Sequence, residues 1–221
     1  MNLKHLYIDL DKTLLPYDSF PLFLPAFLNQ LGLKGWANGL SIAFWAISGQ
    51  RPKIRPALAN ILHNKKIEKY DQYCENWTKH RLVKDIRTNL LPPFSFSLAS
   101  MSMDLIVDPL AILLGASQPS LSTQLGRESG LYTGKLSSPQ CGGKGKAEMI
   151  LNDAQNRGLN RSEVGLLTDH HRDIPALDVV DFPLLVNPTT PLLEWNQTHS
   201  APVFNADETP DWKKIRCTPT R

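Results

Sequence analysis

The chain has 221 residues, of which 42% are hydrophobic and 20% are charged. This composition is typical of a globular protein that buries a sizeable core as one domain, with or without a smaller insertion. The net charge of +3 is too small to indicate a nucleic-acid-binding protein. Three scattered cysteines, Cys74, Cys141 and Cys217, show neither a disulfide framework nor zinc-ligand spacing. Carboxylates interrupt the first apolar run too early for a signal peptide, so we expect a cytoplasmic location.

The first predicted element is a strand over Leu6–Leu10, in the stretch YIDLDKTLL. Its alternation places Asp9 and Asp11 on one side of the strand and Leu10 on the other. Neighbouring carboxylates repel each other unless a cation lies between them or one of them holds a proton. Both solutions indicate a chemical site. Taken alone, the pair is also compatible with a helix N-cap or a structural cation site.

Residues 16–90 carry helix-length apolar patches and predict a helical insertion. The patches FPLFLPAFLNQLGL and LSIAFWAISG are both shorter than the ~20 uninterrupted residues of a membrane span. The segment from Arg51 to Arg87 contains ten Lys or Arg and four Asp or Glu. This excess of six positive charges would attract an anionic ligand. We expect the apolar patches to pack within the insertion, and the basic segment to form a solvent-exposed helical face. Contact with a membrane surface, and a lipid phosphate as ligand, are the minority alternative.

From Phe94 onward, short apolar strands alternate with helices, which predicts an α/β fold whose parallel sheet is covered on both faces. The predicted strands lie at 94–99, 120–125, 131–136, 164–167 and 182–186, and the predicted helices lie at 104–114, at 146–157 and shortly after residue 173. We assign residues 1–15 and 91–204 to this core, residues 16–90 to the helical insertion, and the polar residues 205–221 to a flexible tail.

Polar residues follow several of the predicted strands. In an open parallel sheet, ligands collect at the carboxyl ends of the strands, so these positions predict one shared site. The residues concerned are Asp9, Asp11, Ser100, Ser102, Asp169 and Asp173, together with Lys144 and Lys146 at the start of a helix. Acid, hydroxyl and amine groups are therefore expected to converge on one crevice.

Four motifs in this order resemble those of the haloacid dehalogenase superfamily, in its phosphoserine-phosphatase-like branch. IDLDKT is similar to the DxDxT signature, SMS to the Ser/Thr motif, CGGKGK to the lysine motif and DHHRD to the acidic motif. The stretch GLYTGKLSSPQC also resembles the hairpin that precedes the lysine. The resemblance implies a Rossmann-like parallel sheet with a helical cap inserted after the first strand, and a phosphatase that acts on a small phosphate ester.

The resemblance also implies roles that suit the chemistry of each residue. Asp9 would be the nucleophile that forms an aspartyl phosphate. Asp11 would protonate the leaving alcohol and then activate water. Mg²⁺ would be the cofactor, bound by Asp9, the backbone carbonyl of Asp11 and Asp169. Such an ion would offset the repulsion between the paired carboxylates.

The remaining motif residues are implied to bind the substrate phosphate or to support the site. Lys146 lies five residues after Cys141, as in the family, and would balance the charge of the phosphoryl group, with Lys144 as the alternative. Asp173 would orient the lysine or a metal-bound water. The residues expected to bind substrate or phosphate are Thr13, which would also steady the Asp9 loop, Ser100, Met101, Ser102 and Lys146, although packing is the ordinary role of a methionine such as Met101.

Two departures from the family pattern leave alternatives open. The stretch Leu91-Pro92-Pro93 leads almost directly into the second strand, where relatives have an additional helix. Arg172 replaces the usual Asn before the last Asp of the acidic motif, which would either weaken activity or suit a more anionic substrate. A non-catalytic relative is the second interpretation, although every catalytic residue type is present. A phosphoacceptor signalling domain is disfavoured, because some seventy residues are inserted directly after DxDxT.

Overall fold

The computed structural model describes residues 2–32, 39, 42 and 53–217. The strands are β1 His5–Ile8, β2 Phe96–Met103, β3 Leu121–Thr123, β4 Leu125–Glu128, β5 Leu131–Leu136, β6 Val164–Thr168, β7 Phe182–Val186 and β8 Val203–Phe204. The α-helices within the described residues are α1 Ser19–Leu31, α2 Ile54–Ile61, α3 Ile67–Arg81, α4 Asp104–Leu113, α5 Lys144–Asn156, α6 Ile174–Leu177, α7 Thr190–Asn196 and α8 Trp212–Cys217.

Six strands form one parallel sheet in the order β3-β2-β1-β6-β7-β8, and β4 pairs with β5 in an antiparallel hairpin. Strand β1 lies inside the sheet and all four of its residues are buried. Such burial is typical of a parallel strand that is covered on both faces. The predicted α/β, Rossmann-like fold is confirmed. The helices predicted at 104–114 and 146–157 correspond to α4 and α5.

The first strand is shorter than its sequence pattern predicts. It ends at Ile8, and the backbone then makes a tight turn over Leu10–Leu14, closed by a hydrogen bond from the Leu15 N–H to the Leu10 carbonyl. Lys12 adopts a left-handed conformation with φ of 62° in this turn, which strand geometry does not allow. The predicted strand over Leu6–Leu10 is therefore wrong at its end. Asp9 and Asp11 belong to a tight turn that follows the strand.

Helices α1, α2 and α3 lie between β1 and β2 in the chain, as the predicted insertion requires. Phe23 and Phe27 of α1 are fully buried and stack with ring centroids 4.9 Å apart, and Phe23 contacts Trp77 of α3 edge to face. The first apolar patch thus packs inside the protein at these positions. Of the second patch, residues 40–49, only Ile42 is among the described residues. In the part of the chain that the structure describes, no helix is long and apolar enough to cross a membrane.

The hairpin of β4 and β5 connects the helical insertion to the core. The backbone of Tyr132 in β5 hydrogen-bonds to Asn64 and Lys65, in the segment between α2 and α3. The Tyr132 hydroxyl also donates to Asp71 of α3. Two single helical turns, Val83–Asp85 and Thr88–Leu90, occupy the segment between α3 and β2.

The predicted flexible tail is wrong for residues 205–217. Helix α8 buries Trp212 and Ile215 against the core, and the backbone N–H of Leu3 donates to the Arg216 carbonyl at 3.0 Å. The Arg216 guanidinium also lies 4.8 Å from the centre of the Phe94 ring. Trp212 and Ile215 are three residues apart and share one helical face, so a segment that is polar on average still buries an apolar edge. Residues 218–221 of the predicted tail lie outside the described residues.

The Trp212 contact predicts a stability effect. Trp212→Ala should lower the free energy of unfolding by about 3 kcal/mol, because it leaves a large cavity against the core. Lys213→Ala, at an exposed position in the same helix, should change it by less than about 0.5 kcal/mol. Urea denaturation of both variants measures the difference. Equal stability of the two variants would show that α8 does not pack on the core.

Candidate active site

A cavity of about 610 Å³ opens at the carboxyl ends of β1, β2 and β6. Core residues form most of its wall, and Asp18 and Arg55 contribute from the segment between β1 and β2. The lining residues are Asp9, Asp11, Lys12, Asp18, Arg55, Ser100, Met101, Gln140, Gly142, Gly143, Lys146, Asp169, His170, Arg172 and Asp173. Residues from four separate sequence motifs therefore meet at one edge of the sheet, as the strand-end argument predicts.

Lys146 is buried between two carboxylates. Its Nζ lies 2.8 Å from Asp9 Oδ1 and 2.6 Å from Asp173 Oδ2, and Thr168 also donates a hydrogen bond to Asp173. Burial lowers the pKa of the Lys146 ammonium, but the Asp173 and Asp9 carboxylates raise it more, so Lys146 is a cation. Burial also raises the pKa of Asp9, and the Lys146 charge opposes that rise. Lys144, the alternative from the sequence, is exposed and does not line the cavity.

Asp11 is held on both carboxylate oxygens. The backbone N–H of Ser19 donates to Oδ1 at 2.7 Å, and the Ser102 hydroxyl donates to Oδ2 at 2.8 Å. Burial raises the pKa of Asp11, while the hydrogen bonds from Ser19 and Ser102 lower it. Asp11 thus faces the same cavity as Asp9 in a fixed orientation.

Asp169 completes the acidic side of the cavity. The Thr13 hydroxyl donates to its Oδ1 at 3.2 Å, so Thr13 contacts Asp169 and is not among the residues that line the cavity. Burial is the main cause that raises the pKa of Asp169 to about 6. The negative charge of Asp169 in turn raises the pKa of Asp9. This mutual repulsion favours a cation at the site.

These residues fit Mg²⁺. Among residues 2–32, 39, 42 and 53–217, no group of three or more His, Cys, Asp or Glu is arranged to hold a metal ion. Mg²⁺ does not need such a cage, because it commonly binds one or two carboxylates together with substrate phosphate and water. Asp9 and Asp169 would supply the two carboxylates.

The SMS motif divides its residues between two tasks. Ser100 and Met101 line the cavity, and the Met101 carbonyl accepts a hydrogen bond from Arg55 Nε at 2.7 Å. Ser102 does not line the cavity, because its hydroxyl is turned toward Asp11. This placement differs from the prediction that Ser102 contacts the substrate phosphate.

Two glycines shape the wall before α5. Gly143 has φ of 56°, a left-handed conformation that disfavours other residues. A side chain on Gly142 would approach Met101 Sδ to 2.8 Å. The absence of a side chain at Gly142 therefore allows the start of α5 to approach Met101 of the SMS motif.

Sequence reasoning missed several lining residues. Arg55 is buried in α2, and the only signal for it was the basic segment as a whole, which does not single out one arginine. Lys12, Asp18 and Gln140 carried no signal. His170, interpreted from the sequence as a loop residue, lines the cavity, as does the exposed Arg172.

Comparison with known proteins places this geometry in a family. Residues 6–178 match the family described as haloacid dehalogenase-like hydrolase. A probable phosphatase of Mycobacterium tuberculosis is 26% identical over 226 residues, which cover 90% of this chain and 74% of that protein. A Bordetella pertussis protein of unknown function has a similar structure, with a TM-score of 0.78 and 19% identity over 93% of this chain and all of that one.

The fold is also similar to that of a substrate-bound phosphoserine phosphatase, with a TM-score of 0.53 and 16% identity over 97% of both chains. The family match covers most of this chain and includes each of the four motifs from which the family was predicted. The protein therefore belongs to the haloacid dehalogenase-like hydrolase family, as its sequence motifs predict.

Proposed function

We propose that this hydrolase is a Mg²⁺-dependent phosphatase that cleaves a phosphomonoester through an aspartyl phosphate on Asp9. The observation that carries the proposal is the convergence of Asp9, Asp11 and Lys146 on one cavity, with Lys146 Nζ 2.8 Å from Asp9. A non-catalytic binding protein would not need a buried ammonium beside a nucleophile and a second acid on the same wall. The cytoplasmic location stays a prediction.

In the first step, the Asp9 carboxylate attacks phosphorus and the bond from phosphorus to the substrate oxygen breaks. Asp11 gives its proton to that oxygen, so that a neutral alcohol leaves. In the second step, Asp11 removes a proton from water, the resulting hydroxide attacks phosphorus, and Asp9 is released. The result is one alcohol and one inorganic phosphate for each water consumed.

The other lining groups act on the charge of the phosphoryl group. Lys146 and the Ser100 hydroxyl would balance the negative charge that develops on its oxygens. Asp173 holds Lys146 in place at 2.6 Å. Asp9, Asp169 and the Asp11 carbonyl would hold Mg²⁺, which supplies further positive charge next to phosphorus when it is bound.

The cationic rim of the cavity favours a substrate with a second anionic group. Arg55 and Arg172 both line the cavity. Burial is the main cause that lowers the pKa of Arg55, the Asp11 carboxylate opposes it, and the charge of Arg172 lowers it further. An additional carboxylate or phosphate on the substrate would relieve this repulsion. We therefore favour a small anionic phosphate ester. A lipid phosphate is not part of the proposal, because Phe23 and Phe27 are buried inside the protein.

The role of Asp9 predicts the effect of one substitution. The parent protein should hydrolyse members of a panel of phosphorylated metabolites with Mg²⁺ and lose this activity with EDTA. Asp9→Asn should abolish turnover while the protein still folds, because the amide has nearly the same shape and Asp173 still pairs with Lys146. The melting temperature should fall, because the buried ammonium loses one of its two carboxylates. Asp207→Asn, at an exposed position outside the cavity, is the matched control and should keep full activity. Near-parental hydrolysis by Asp9→Asn would exclude the covalent mechanism.

Proton transfer by Asp11 predicts a dependence on the leaving group. Asp11→Asn should lower kcat for an alkyl phosphate by about 10²–10⁴-fold, the usual contribution of a general acid. The loss should be smaller with nitrophenyl phosphate, whose leaving group needs no proton. Steady-state kinetics on both esters measure the two losses. Equal losses would mean that Asp11 acts in some way other than proton donation.

The charge of Arg172 predicts a change in substrate preference. Arg172→Asn should raise KM for phosphoglycolate by about two- to fivefold, as expected for an exposed charge pair, and leave KM for ethyl phosphate unchanged. Lys144→Asn removes a nearby positive charge that does not line the cavity and should change neither value. If the ratio of the two KM values did not change in the Arg172 variant, the proposal that the substrate carries a second anionic group would be wrong.

A further inference from the structure

Ser102 is separated from Ser100 by one residue in β2, yet the two hydroxyls have different surroundings. Both residues are 1% exposed. Ser100 lines the cavity, whereas Ser102 donates its hydroxyl proton to Asp11 Oδ2 at 2.8 Å. The backbone N–H of Ser102 also donates to Ser100 Oγ at 3.2 Å. Ser102 thus lies behind Asp11 as seen from the cavity.

The donors around Asp11 come from two different parts of the fold. Ser102 belongs to β2 of the core, and Ser19 is the first residue of α1. The two serine hydroxyl oxygens lie 3.1 Å apart. The Ser19 side chain, like its backbone N–H, also hydrogen-bonds to Asp11. Asp11 is therefore held jointly by the first helix of the insertion and by Ser102 of the core.

We infer that Ser102 is a positioning residue for Asp11 and does not bind the substrate phosphate. The inference rests on the proposed function, because it assigns Ser102 to the residue that transfers the proton. With Ser19 N–H on one oxygen and Ser102 on the other, the Asp11 carboxylate cannot rotate without losing a hydrogen bond. Removal of the Ser102 hydroxyl frees one oxygen and lets the carboxylate turn away from the leaving group.

The kinetic test compares two esters. Ser102→Ala should lower kcat for an alkyl phosphate by about ten- to hundredfold, which corresponds to one hydrogen bond to a charged group. The loss with nitrophenyl phosphate should be much smaller, and KM should not change for either ester. Ser97→Ala is the matched control, because Ser97 is a buried, hydrogen-bonded serine of the same strand and is not among the cavity-lining residues. It should keep the kcat of the parent.

A binding measurement separates positioning from phosphate binding without turnover. Calorimetry with inorganic phosphate and Mg²⁺ should give the same affinity for Ser102→Ala and the parent, and a weaker affinity for Ser100→Ala. An affinity loss in Ser102→Ala as large as that in Ser100→Ala would overturn the inference, as would equal kcat losses on both esters. Failure of the proposed function is distinct, because the parent itself would then hydrolyse neither ester.

Discussion

The buried Lys146 ammonium between Asp9 and Asp173 is the interaction on which the site depends. An unpaired charge in such a place would be very unfavourable, and two carboxylates within 2.8 Å stabilise it. Asp169 adds a third carboxylate near this ammonium, and the cavity as a whole is lined by five Asp and four Lys or Arg side chains. A bound phosphate would add to the negative charge around Lys146. The arrangement therefore favours additional positive charge beside it, which the proposed Mg²⁺ would supply.

The parallel sheet is what makes this constellation reachable from distant parts of the chain. The backbone N–H of Asp9 donates to the Leu167 carbonyl of β6 at 2.9 Å, so the proposed nucleophile is fixed by a hydrogen bond at the edge of the sheet. Asp169 follows the end of β6 directly, and Ser100 lies near the end of β2, on the other side of β1. Because parallel strands end at the same edge of a sheet, the three neighbouring strands place these residues close together without long loops. Helix α5 then brings Lys146 to this edge from outside the sheet.

The sequence was sufficient for those features that follow from local periodicity. Strand ends located Asp9, Ser100 and Asp169, since each follows a short apolar run. Lys146 was chosen over Lys144 from the family resemblance, by its spacing from Cys141. Periodicity gives the face of a residue but not its partner, so it grouped Ser102 with the phosphate-binding residues. The first strand ends early because the chain turns at Lys12, which has a left-handed backbone conformation. A lysine at this position does not predict such a conformation.

The position of Arg55 in the cavity could not be predicted from the sequence for a different reason. Its place in the cavity depends on how the inserted helices dock on the core, which is a property of contacts between residues far apart in the chain. The same holds for Trp212 and Ile215. The average composition of residues 205–217 is polar, so these two apolar side chains give no clear signal, and they are buried only because α8 packs on the core. Local patterns predict elements, and the packing of those elements decides which side chains meet.

The cavity wall is built from two parts with different constraints. Asp9 follows β1, Ser100 lies in β2 and Lys146 lies in α5, so all three depend on the sheet and its helices. In β2, a shift of one residue would turn Ser100 to the other face. Arg55 comes from the insertion, which contacts the core through the Met101 carbonyl and through the Tyr132 hairpin. Arg172 is exposed in the short helical turn His171–Asp173 that follows β6. The groups that would perform the chemistry are thus tied to the sheet, while Arg172 projects from its surface. A substitution at Arg172 can therefore alter substrate choice with little effect on the catalytic geometry, whereas a substitution at Arg55 also removes the hydrogen bond to the Met101 carbonyl.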